Sequence, residues 1–418
     1  MSDVAPDQKV VDADAGRVYG MGEAAREYIN RLRGGELGSL PAVLGLIALV
    51  LIFTMLKGST FFSTFNFANL LSQGAMIIVI AMGLVFVLLL GEIDLSAGFA
   101  AGTAAAVLGV TLTKHEWPMP LAVLACLATG VVLGVVIGLL VARLGIPSFV
   151  VTLAMFLALQ GMMLLIIGEG GTVPIRDEAI LALQNKNLPT VLGWLLTIAS
   201  VGIYAWLSGQ RLRRRRAAGL TAEPTTLWAL KIGVIAVLAV LATFFLNRER
   251  SLRPDLNSIK GIPYIVPMIL ILVIVLGFVL TRTAFGRHIY AVGGNAEAAR
   301  RAGINVNRIK IICFIICSLL AAVAGILFAS RDNSISPSTG GSTTLLYAVG
   351  AAVIGGTSLF GGRGRITDAV LGGLVVAVIA NGLPLITEKA GIQFLVTGLV
   401  LLVAASVDAL SRRRSLAT

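Results

Sequence analysis

The sequence predicts an all-α polytopic membrane protein with about twelve transmembrane helices. Of the 418 residues, 57% are hydrophobic and only 13% are charged. Several uncharged runs are long enough to cross a bilayer, which takes about 20 apolar residues per helix. These runs are continuous, whereas the strands of a membrane barrel alternate apolar and polar residues in pieces of about ten. The composition therefore excludes a soluble globule, and the continuity of the runs excludes a barrel.

Twelve apolar runs follow a polar N-terminal tail over 1–37. The tail has no signal-peptide pattern, so the first run, from Leu40, is expected to remain as a membrane anchor. The stretch 61–72, FFSTFNFANLLS, is amphipathic and is predicted to lie at a membrane interface before the second span. The predicted spans centre on 40–56, 73–90, 95–113, 119–142, 148–167, 190–208, 226–246, 263–281, 309–330, 345–361, 366–386 and 391–410.

The net charge of +12 fits membrane orientation better than nucleic-acid binding, so no nucleic-acid partner is expected. Basic residues collect in the cytoplasmic loops of membrane proteins. An even number of spans puts the block RLRRRR (211–216) and the block RRR (412–414) on the same side. We therefore expect both chain termini to lie in the cytoplasm.

No motif for catalysis or metal binding is present. The chain lacks a P-loop for ATP, and it also lacks a nucleophile elbow and the H-E-x-x-H zinc pattern. The three cysteines lie inside apolar runs, and His115 and His288 are isolated from any ligand cluster, so neither a metal site nor a cofactor is expected. The sequence predicts a transporter or channel rather than an enzyme.

The stretch GEIDLSAG (91–98) places two carboxylates at the break between the second and third spans. Ionisable residues in membrane segments are costly and are usually functional or paired. Asp94 can cap the following helix by accepting from the amides of Ser96 or Ala97, and the Ser96 hydroxyl can support it. The alternatives for Glu92 and Asp94 are a gating role, direct sugar binding or a proton relay.

The stretch 282–308, RTAFGRHIYAVGGNAEAARRAGINVNR, is the longest informative loop on the predicted cytoplasmic side. It predicts a turn at Gly293 and Gly294, followed by a short helix that Asn295 caps and Gly303 ends. The small residues of this helix favour docking into a groove of a partner, and the alternative is an ordinary solvated loop. The candidate docking residues are Gly293, Gly294, Asn295, Glu297, Ala298, Ala299, Arg300 and Gly303.

Five motifs occur in the order found in bacterial ribose- and xylose-type ABC sugar permeases, and the chain resembles this family over about residues 60–410. The motifs are VLLLGEIDLSAG (87–98), GIPSFVVTLAM (145–155), FGRHIYAVGGNAEAARRAGINV (285–306), SPSTGG (336–341) and AAVIGGTSLFGGRG (351–364). The resemblance implies an ABC importer permease fold over 38–414, with a cytoplasmic coupling loop at 285–306. It also implies three protein partners: an ATPase subunit that uses ATP and Mg, an extracytoplasmic sugar-binding protein and a second permease copy.

Two features resemble the xylose branch of this family. Glu92 replaces a glycine that ribose-type members usually carry, and an extra pair of helices is predicted over 190–246. The resemblance therefore implies a monosaccharide substrate, with a pentose such as xylose favoured. The protein is expected in the bacterial cytoplasmic membrane, in contact with membrane lipid.

A neutral sugar requires amide and hydroxyl groups along its path rather than fixed charges. The candidates within the spans are Gln73, Thr152, Gln160 and Asn381, and the alternative for each is an interhelical hydrogen bond. Three rival functions stay open: an ion-coupled secondary transporter that uses Glu92 or Asp94, an ABC permease for another small solute, and a membrane scaffold.

Overall fold

The structure is a computed structural model that describes residues 22, 39–220, 222–251, 253–255 and 258–417. The predicted tail over 1–37 lies, apart from Gly22, outside the described residues. The chain divides into two units, which we call the core unit (38–187 and 263–410) and the hairpin unit (188–262 with both chain ends).

The core unit is almost entirely helical. A single antiparallel pair of two-residue strands, β1 (Val173–Pro174) and β2 (Ser334–Ile335), joins two of its loops in the described residues. Its helices are α1 (Leu40–Lys57), α2 (Thr64–Leu89), α3 (Ala97–Gly109), α4 (Met119–Ala142), α5 (Ser148–Ile167), α6 (Glu178–Asn185), α9 (Ile265–Arg282), α10 (Ala284–Gly294), α11 (Ala296–Arg301), α12 (Val306–Asp332), α13 (Ser342–Gly355), α14 (Ile366–Ile386) and α15 (Ala390–Ala417).

Local sequence signals set several helix ends in the core unit. Ser63 caps α2 by accepting from the amide of Asn66, and Asn305 caps α12 by accepting from the amide of Arg308. Pro147 stands directly before α5, where its missing amide hydrogen costs nothing. Helix α12 ends before Asn333, which adopts a left-handed conformation. These ends follow from residues next to the helices themselves.

Glycines let the central helices of the core unit approach one another closely. Helix α12 packs against α2, α3 and α4. Gly130, Gly134 and Gly138 form the stripe on α4 that meets α12, and a Cβ at Gly134 would lie 2.5 Å from the Cα of Ile315. The sequence pattern predicts this packing stripe, and the structure confirms that it lies at a helix contact.

The hairpin unit contains α7 (Thr190–Ala217) and α8 (Thr225–Leu246), which pack against each other. The hydroxyls of Thr197 and Thr243 form a buried hydrogen bond of 2.5 Å between them. In the loop after α8, hydrogen bonds from the Ser251 amide and neighbouring groups lower the pKa of Glu249 to about 2. The buried guanidinium of Arg250 donates to two backbone carbonyls and so ties the loop to the end of α8.

Every predicted span contains an apolar helix. In the described residues ten helices are long and apolar enough to cross a membrane, and two shorter apolar helices, Ser342–Gly355 and Ala390–Val400, occupy the tenth and twelfth predicted spans. The prediction of about twelve transmembrane helices is confirmed, as is the all-α fold class.

The interfacial position of the stretch 61–72 stays a prediction, and in the structure α2 begins within it at Thr64 and continues unbroken to Leu89. One local prediction is wrong. Gly293 and Gly294 form no turn, because α10 runs through both and the chain bends only at Asn295. Gly293 serves close packing rather than a change in chain direction, whereas a Cβ at Gly294 would meet no atom within 4 Å.

Candidate functional site

The GEIDLS turn connects α2 to α3. Gly91 has a φ of +75°, a conformation that glycine adopts without the penalty of a side chain. Asp94 is fully buried, and its Oδ1 accepts from the Ser96 amide at 2.8 Å and from the Ser96 hydroxyl at 2.6 Å. The thiol of Cys317, on α12, also lies next to this carboxylate. Asp94 thus shapes the backbone immediately before α3, and Ser96 donates its hydroxyl to Asp94 instead of capping the helix itself.

Glu92 forms an ion pair across the core unit. Its Oε1 accepts a hydrogen bond from the Nζ of Lys310, in the second turn of α12. The Glu92 side chain is 15% exposed and that of Lys310 is 23% exposed, so the pair is shielded from most of the solvent. The acidic residue that distinguishes this turn therefore has a specific cationic partner, 218 residues later in the chain.

The turn is also attached to the start of α5. The Ile93 amide donates to the Ser148 hydroxyl at 3.1 Å, and the Thr152 hydroxyl donates to the Ile93 carbonyl at 3.2 Å. Thr152 is completely buried. The sequence indicated Thr152 for the sugar path, but the structure places its side chain in support of the GEIDLS turn.

Helix α10 packs against the backbone of the same turn through a glycine. A Cβ at Gly293 would collide with the carbonyl oxygen of Leu89 and would lie 2.8 Å from the amide nitrogen of Gly362. The Gly362 amide in turn donates to the Leu89 carbonyl at 2.9 Å. The end of α2, the end of α10 and the FGGRG loop thus meet backbone to backbone, and we call this contact region the motif junction.

A tyrosine ties α10 to the FGGRG loop. The Tyr290 hydroxyl donates to the Gly364 carbonyl at 2.7 Å. Burial, with a smaller effect from the Asp368 carboxylate, raises the pKa of Tyr290 above its usual value. The phenol therefore stays protonated and remains a hydrogen-bond donor throughout the physiological pH range.

Helix α11 has one face turned into the core unit and one face exposed. Asn295 caps it by accepting from the Ala298 amide at 2.9 Å, and Glu297 pairs with Arg300 and Arg301 on the outside. Ala298 is exposed, whereas Ala299 is buried with only 5% of its surface exposed.

Two of the predicted docking residues are therefore internal. Ala299 is buried and Gly293 is partly buried, and both contact other parts of this chain. Gly294 and Gly303 are exposed, and a Cβ at either would meet no atom within 4 Å. Gly303 has a φ of +85°, which fits its predicted role in ending the helix.

The four predicted path residues do not share one site. Gln73 and Asn381 meet, because the Asn381 amide donates to Gln73 at 3.4 Å, and Asn66 donates to Asn381 at 2.8 Å. These three residues form a polar cluster between α2 and α14. Gln160 is exposed on α5, and Thr152 lies at the turn as described above.

The SPSTGG motif packs on α3, directly after the turn. A Cβ at Gly98 would lie 2.5 Å from the Gly340 carbonyl oxygen, and one at Gly102 would collide with the carbonyl oxygen of Thr339. The glycines in GEIDLSAG and in the following turn of α3 therefore allow a second motif to approach the same helix closely.

Sequence reasoning missed Lys310, Tyr290 and Ser148 as parts of this site. Lys310 was not among the predicted site residues. A lysine at the start of an otherwise apolar span was the available signal, because a charge at that depth usually has a partner. Tyr290 and Ser148 gave no comparable signal, since each makes a single polar contact with a distant backbone group or turn.

In the described residues no three His, Cys, Asp or Glu side chains are arranged to hold a metal ion. Cys126, Cys313 and Cys317 are buried free thiols. The arrangement at the motif junction binds backbone segments to one another and contains no nucleophile with an adjacent base. Its geometry is that of a mechanical connection in a helical membrane protein.

The apolar helices of the described residues define the class of the protein as a polytopic membrane protein. Residues 66–405 match the family described as "Branched-chain amino acid transport system / permease component", and the chain belongs to this family. Permeases of this class are transport subunits rather than enzymes, and the family implies two partners, a separate ATPase and a substrate-binding protein.

Named relatives match over nearly the whole chain. The xylose transport system permease protein XylH of Escherichia coli is 38% identical over 377 residues, covering 89% of this chain and 92% of the relative. The ribose import permease protein RbsC of Escherichia coli is 31% identical over 92% of this chain and 97% of the relative. The fructose import permease protein FrcC of Rhizobium meliloti is 30% identical over 89% and 86%. No solved structure matches the chain.

The predicted resemblance to ABC sugar permeases is thus confirmed. The chain is a multi-pass membrane protein and the permease component of an ABC transport system.

Proposed function

We propose that this chain forms the pore of an ABC importer for a monosaccharide, with a pentose such as xylose as the favoured substrate. The proposal rests on the family and on the relatives, three of which are named for xylose, ribose and fructose. Two copies of the chain form the pore, and both termini lie in the cytoplasm. ATP and Mg are used by the partner ATPase, and an extracytoplasmic binding protein delivers the sugar.

The observation that carries the proposal is the motif junction. Helices α10 and α11 are amphipathic or charged and lie between the apolar spans α9 and α12, and α10 contacts the end of α2 directly before the GEIDLS turn. Four arginines lie between 282 and 301, and the positive-inside rule favours the cytoplasmic side for them. The exposed face of α11, which includes Asn295, Glu297, Ala298 and Arg300, is then available to the ATPase.

Two contacts transmit movement of α10 to the spans, because Gly293 lies against the end of α2 at Leu89 and Tyr290 donates to the FGGRG loop. A third contact, between Lys310 and Glu92, connects α12 to the GEIDLS turn. Because backbone contacts of this kind do not compress, displacement of α10 displaces the GEIDLS turn, and with it α2 and α3. ATP binding in the partner therefore biases the orientation of the pore helices through this junction.

The polar cluster of Gln73, Asn381 and Asn66 supplies neutral amide groups on α2 and α14, which suit the hydroxyls of a sugar. We assign the sugar path to this cluster in preference to Thr152. Glu92 is engaged by Lys310, and the Oδ1 of Asp94 accepts two hydrogen bonds from Ser96, so we favour a structural role for both carboxylates over a proton relay.

Reconstitution in liposomes tests the proposed function. The purified chain, its ATPase and its binding protein should take up labelled xylose only when ATP is enclosed with the ATPase. Ribose, fructose and leucine serve as competing substrates. Uptake of leucine in place of sugars would overturn the substrate class, and uptake by this chain alone under a proton gradient would overturn the ABC mechanism.

A pair of alanine variants tests docking on α11. Ala298→Trp places a bulky side chain on the exposed face and should reduce copurified ATPase at least fivefold, because a misfit at an interface costs about 1–3 kcal/mol. Ala217→Trp, at an exposed alanine that ends α7, is the matched control and should copurify the ATPase normally. Full ATPase recovery with Ala298→Trp would show that α11 is not the docking surface.

A further inference from the structure

A cleft between α7 and α8 in the hairpin unit has the features of a binding site. Its volume is about 380 Å³, within the range of about 300–1,000 Å³ that is typical of small-molecule sites. Arginine, tryptophan and small polar side chains line it. The lining residues that matter here are Trp206, Gln210, Arg213, Arg216, Thr225 and Trp228.

The cleft is strongly cationic. Residues 211–216 contain five arginines, and the nearest acidic residue along the chain is Glu223, in the connection between α7 and α8. Lys231 contacts both carboxylate oxygens of Glu223, at 2.8 and 2.7 Å, so this single negative charge is already paired. Arg213 makes no ion pair with the described residues, and its charge remains available to a ligand.

Arg216 is held in place with part of its donor capacity unused. Its Nη2 donates to the Glu223 carbonyl at 2.8 Å, which fixes the guanidinium at the cleft. Its Nε is buried and has no hydrogen-bond partner among the described residues. A buried donor without an acceptor costs free energy, and an anionic oxygen in the cleft would satisfy it.

The cleft lies at the end of the apolar run of α7. The run of α7 from Thr190 is apolar up to Ser208, and the arginines begin at Arg211. Tryptophan is enriched at membrane–water interfaces, because its amphipathic ring is stable at the depth of the lipid headgroups. The Trp228 indole N–H donates to the Ser208 hydroxyl at 2.9 Å, and this contact closes the apolar side of the cleft.

We propose that this cleft binds the phosphate headgroup of an anionic phospholipid. Arg213 and Arg216 contact the phosphate, and the acyl chains lie along the apolar surface below. That surface is present, because Ile203, Leu230 and Val234 are each more than half exposed. A free phosphate ion would use the arginines but not this apolar surface, so the lipid is the better occupant.

Lipid retention on the purified full-length chain tests the site. The chain is extracted into a mild detergent, delipidated and titrated with phosphatidylglycerol or cardiolipin, while native mass spectrometry counts bound lipid. Arg213→Gln with Arg216→Gln should weaken binding at least tenfold, because both arginines line the cleft and their hydrogen bonds to the charged phosphate are lost. Phosphatidylcholine, which carries no net charge, should bind neither protein measurably.

A second double variant controls for charge alone. Arg211→Gln with Arg215→Gln removes the same charge from arginines that do not line the cleft and should leave anionic-lipid binding within about twofold of the parent. Equal losses in the two double variants would overturn the site in favour of diffuse attraction. Competition by inorganic phosphate at concentrations matching the lipid would show that the ligand is the free ion. Circular dichroism and gel filtration confirm that both variants are folded.

Discussion

Helices α2 and α8 are both long apolar spans, yet they have opposite surroundings. In the most hydrophobic stretch of α2, 83% of the residues are buried within the protein, against 11% for α8. Gly83 on α2 lies against the backbone of Cys317, whereas a Cβ at Gly233 on α8 would meet no atom within 4 Å. Hydrophobicity therefore marks both helices as spans but does not distinguish a central helix from a peripheral one.

The physical reason is that lipid tails are as apolar as leucine. Burying a leucine against another helix gains little over leaving it in lipid, so close backbone packing and polar contacts distinguish the core instead. The core unit uses both at the motif junction, where Gly293 meets Leu89 and Lys310 meets Glu92. The hairpin unit has one buried hydroxyl pair and an exposed apolar surface.

The largest expected effect comes from Gly293→Ala. The added methyl would overlap the Leu89 carbonyl oxygen, a backbone atom that cannot rotate away. We expect a loss of about 3 kcal/mol or more in the free energy of unfolding, or failure to fold. Gly294→Ala is the matched control, and it should be neutral or slightly stabilising. Thermal unfolding in detergent measures both, and equal melting temperatures would refute the close contact at the junction.

The same glycine-to-leucine substitution in α2 and in α8 tests the difference in their packing. Gly83→Leu should destabilise the protein by about 1–3 kcal/mol, because the larger side chain must displace the backbone of α12. Gly233→Leu adds the same atoms to a surface with open space and should change the unfolding free energy by less than about 0.5 kcal/mol. If both variants unfold alike, the difference in packing between α2 and α8 has no energetic meaning.

Asp94 variants separate the shape of the turn from its charge. Asn retains an oxygen that can accept from the Ser96 amide, so Asp94→Asn should keep most of the stability and uptake. Asp94→Leu leaves the Ser96 amide and hydroxyl without this acceptor and should cost about 1–3 kcal/mol. A stable Asp94→Asn protein with no uptake would assign the charge itself a role in transport.

The smallest expected effect on stability is that of the Glu92–Lys310 pair. Glu92→Gln or Lys310→Gln should cost about 1 kcal/mol, since the glutamine amide can still hydrogen-bond to the remaining partner. The functional effect should be larger, with less sugar moved per ATP hydrolysed, because the link from α12 to the turn is weakened.

A charge exchange completes this test. The variant Glu92→Lys with Lys310→Glu restores the pair in reverse and should recover the coupling ratio lost in the single variants. A coupling ratio that the single variants leave unchanged would show that the pair is a structural contact only.

Much of the fold could be predicted from the sequence. The positions of all the spans follow from runs of apolar residues, and the cap at Asn295 and the bond from the Ser96 amide to Asp94 follow from residues next to the helices concerned. The glycine stripe on α4 follows from four-residue spacing. Each of these signals is local, so it can be read along the chain without knowing what lies beside it.

The tertiary structure alone decided which of these residues meet. It buried Ala299 beside an exposed Ala298, paired Glu92 with Lys310, and placed the Thr152 hydroxyl against the GEIDLS turn. These contacts join segments tens to hundreds of residues apart. Helical periodicity shows that neighbouring positions point in different directions, but it does not show which direction faces a neighbour. In a chain this apolar every helix face is compatible with lipid, so only the packing of the helices determines which face contacts a neighbouring helix.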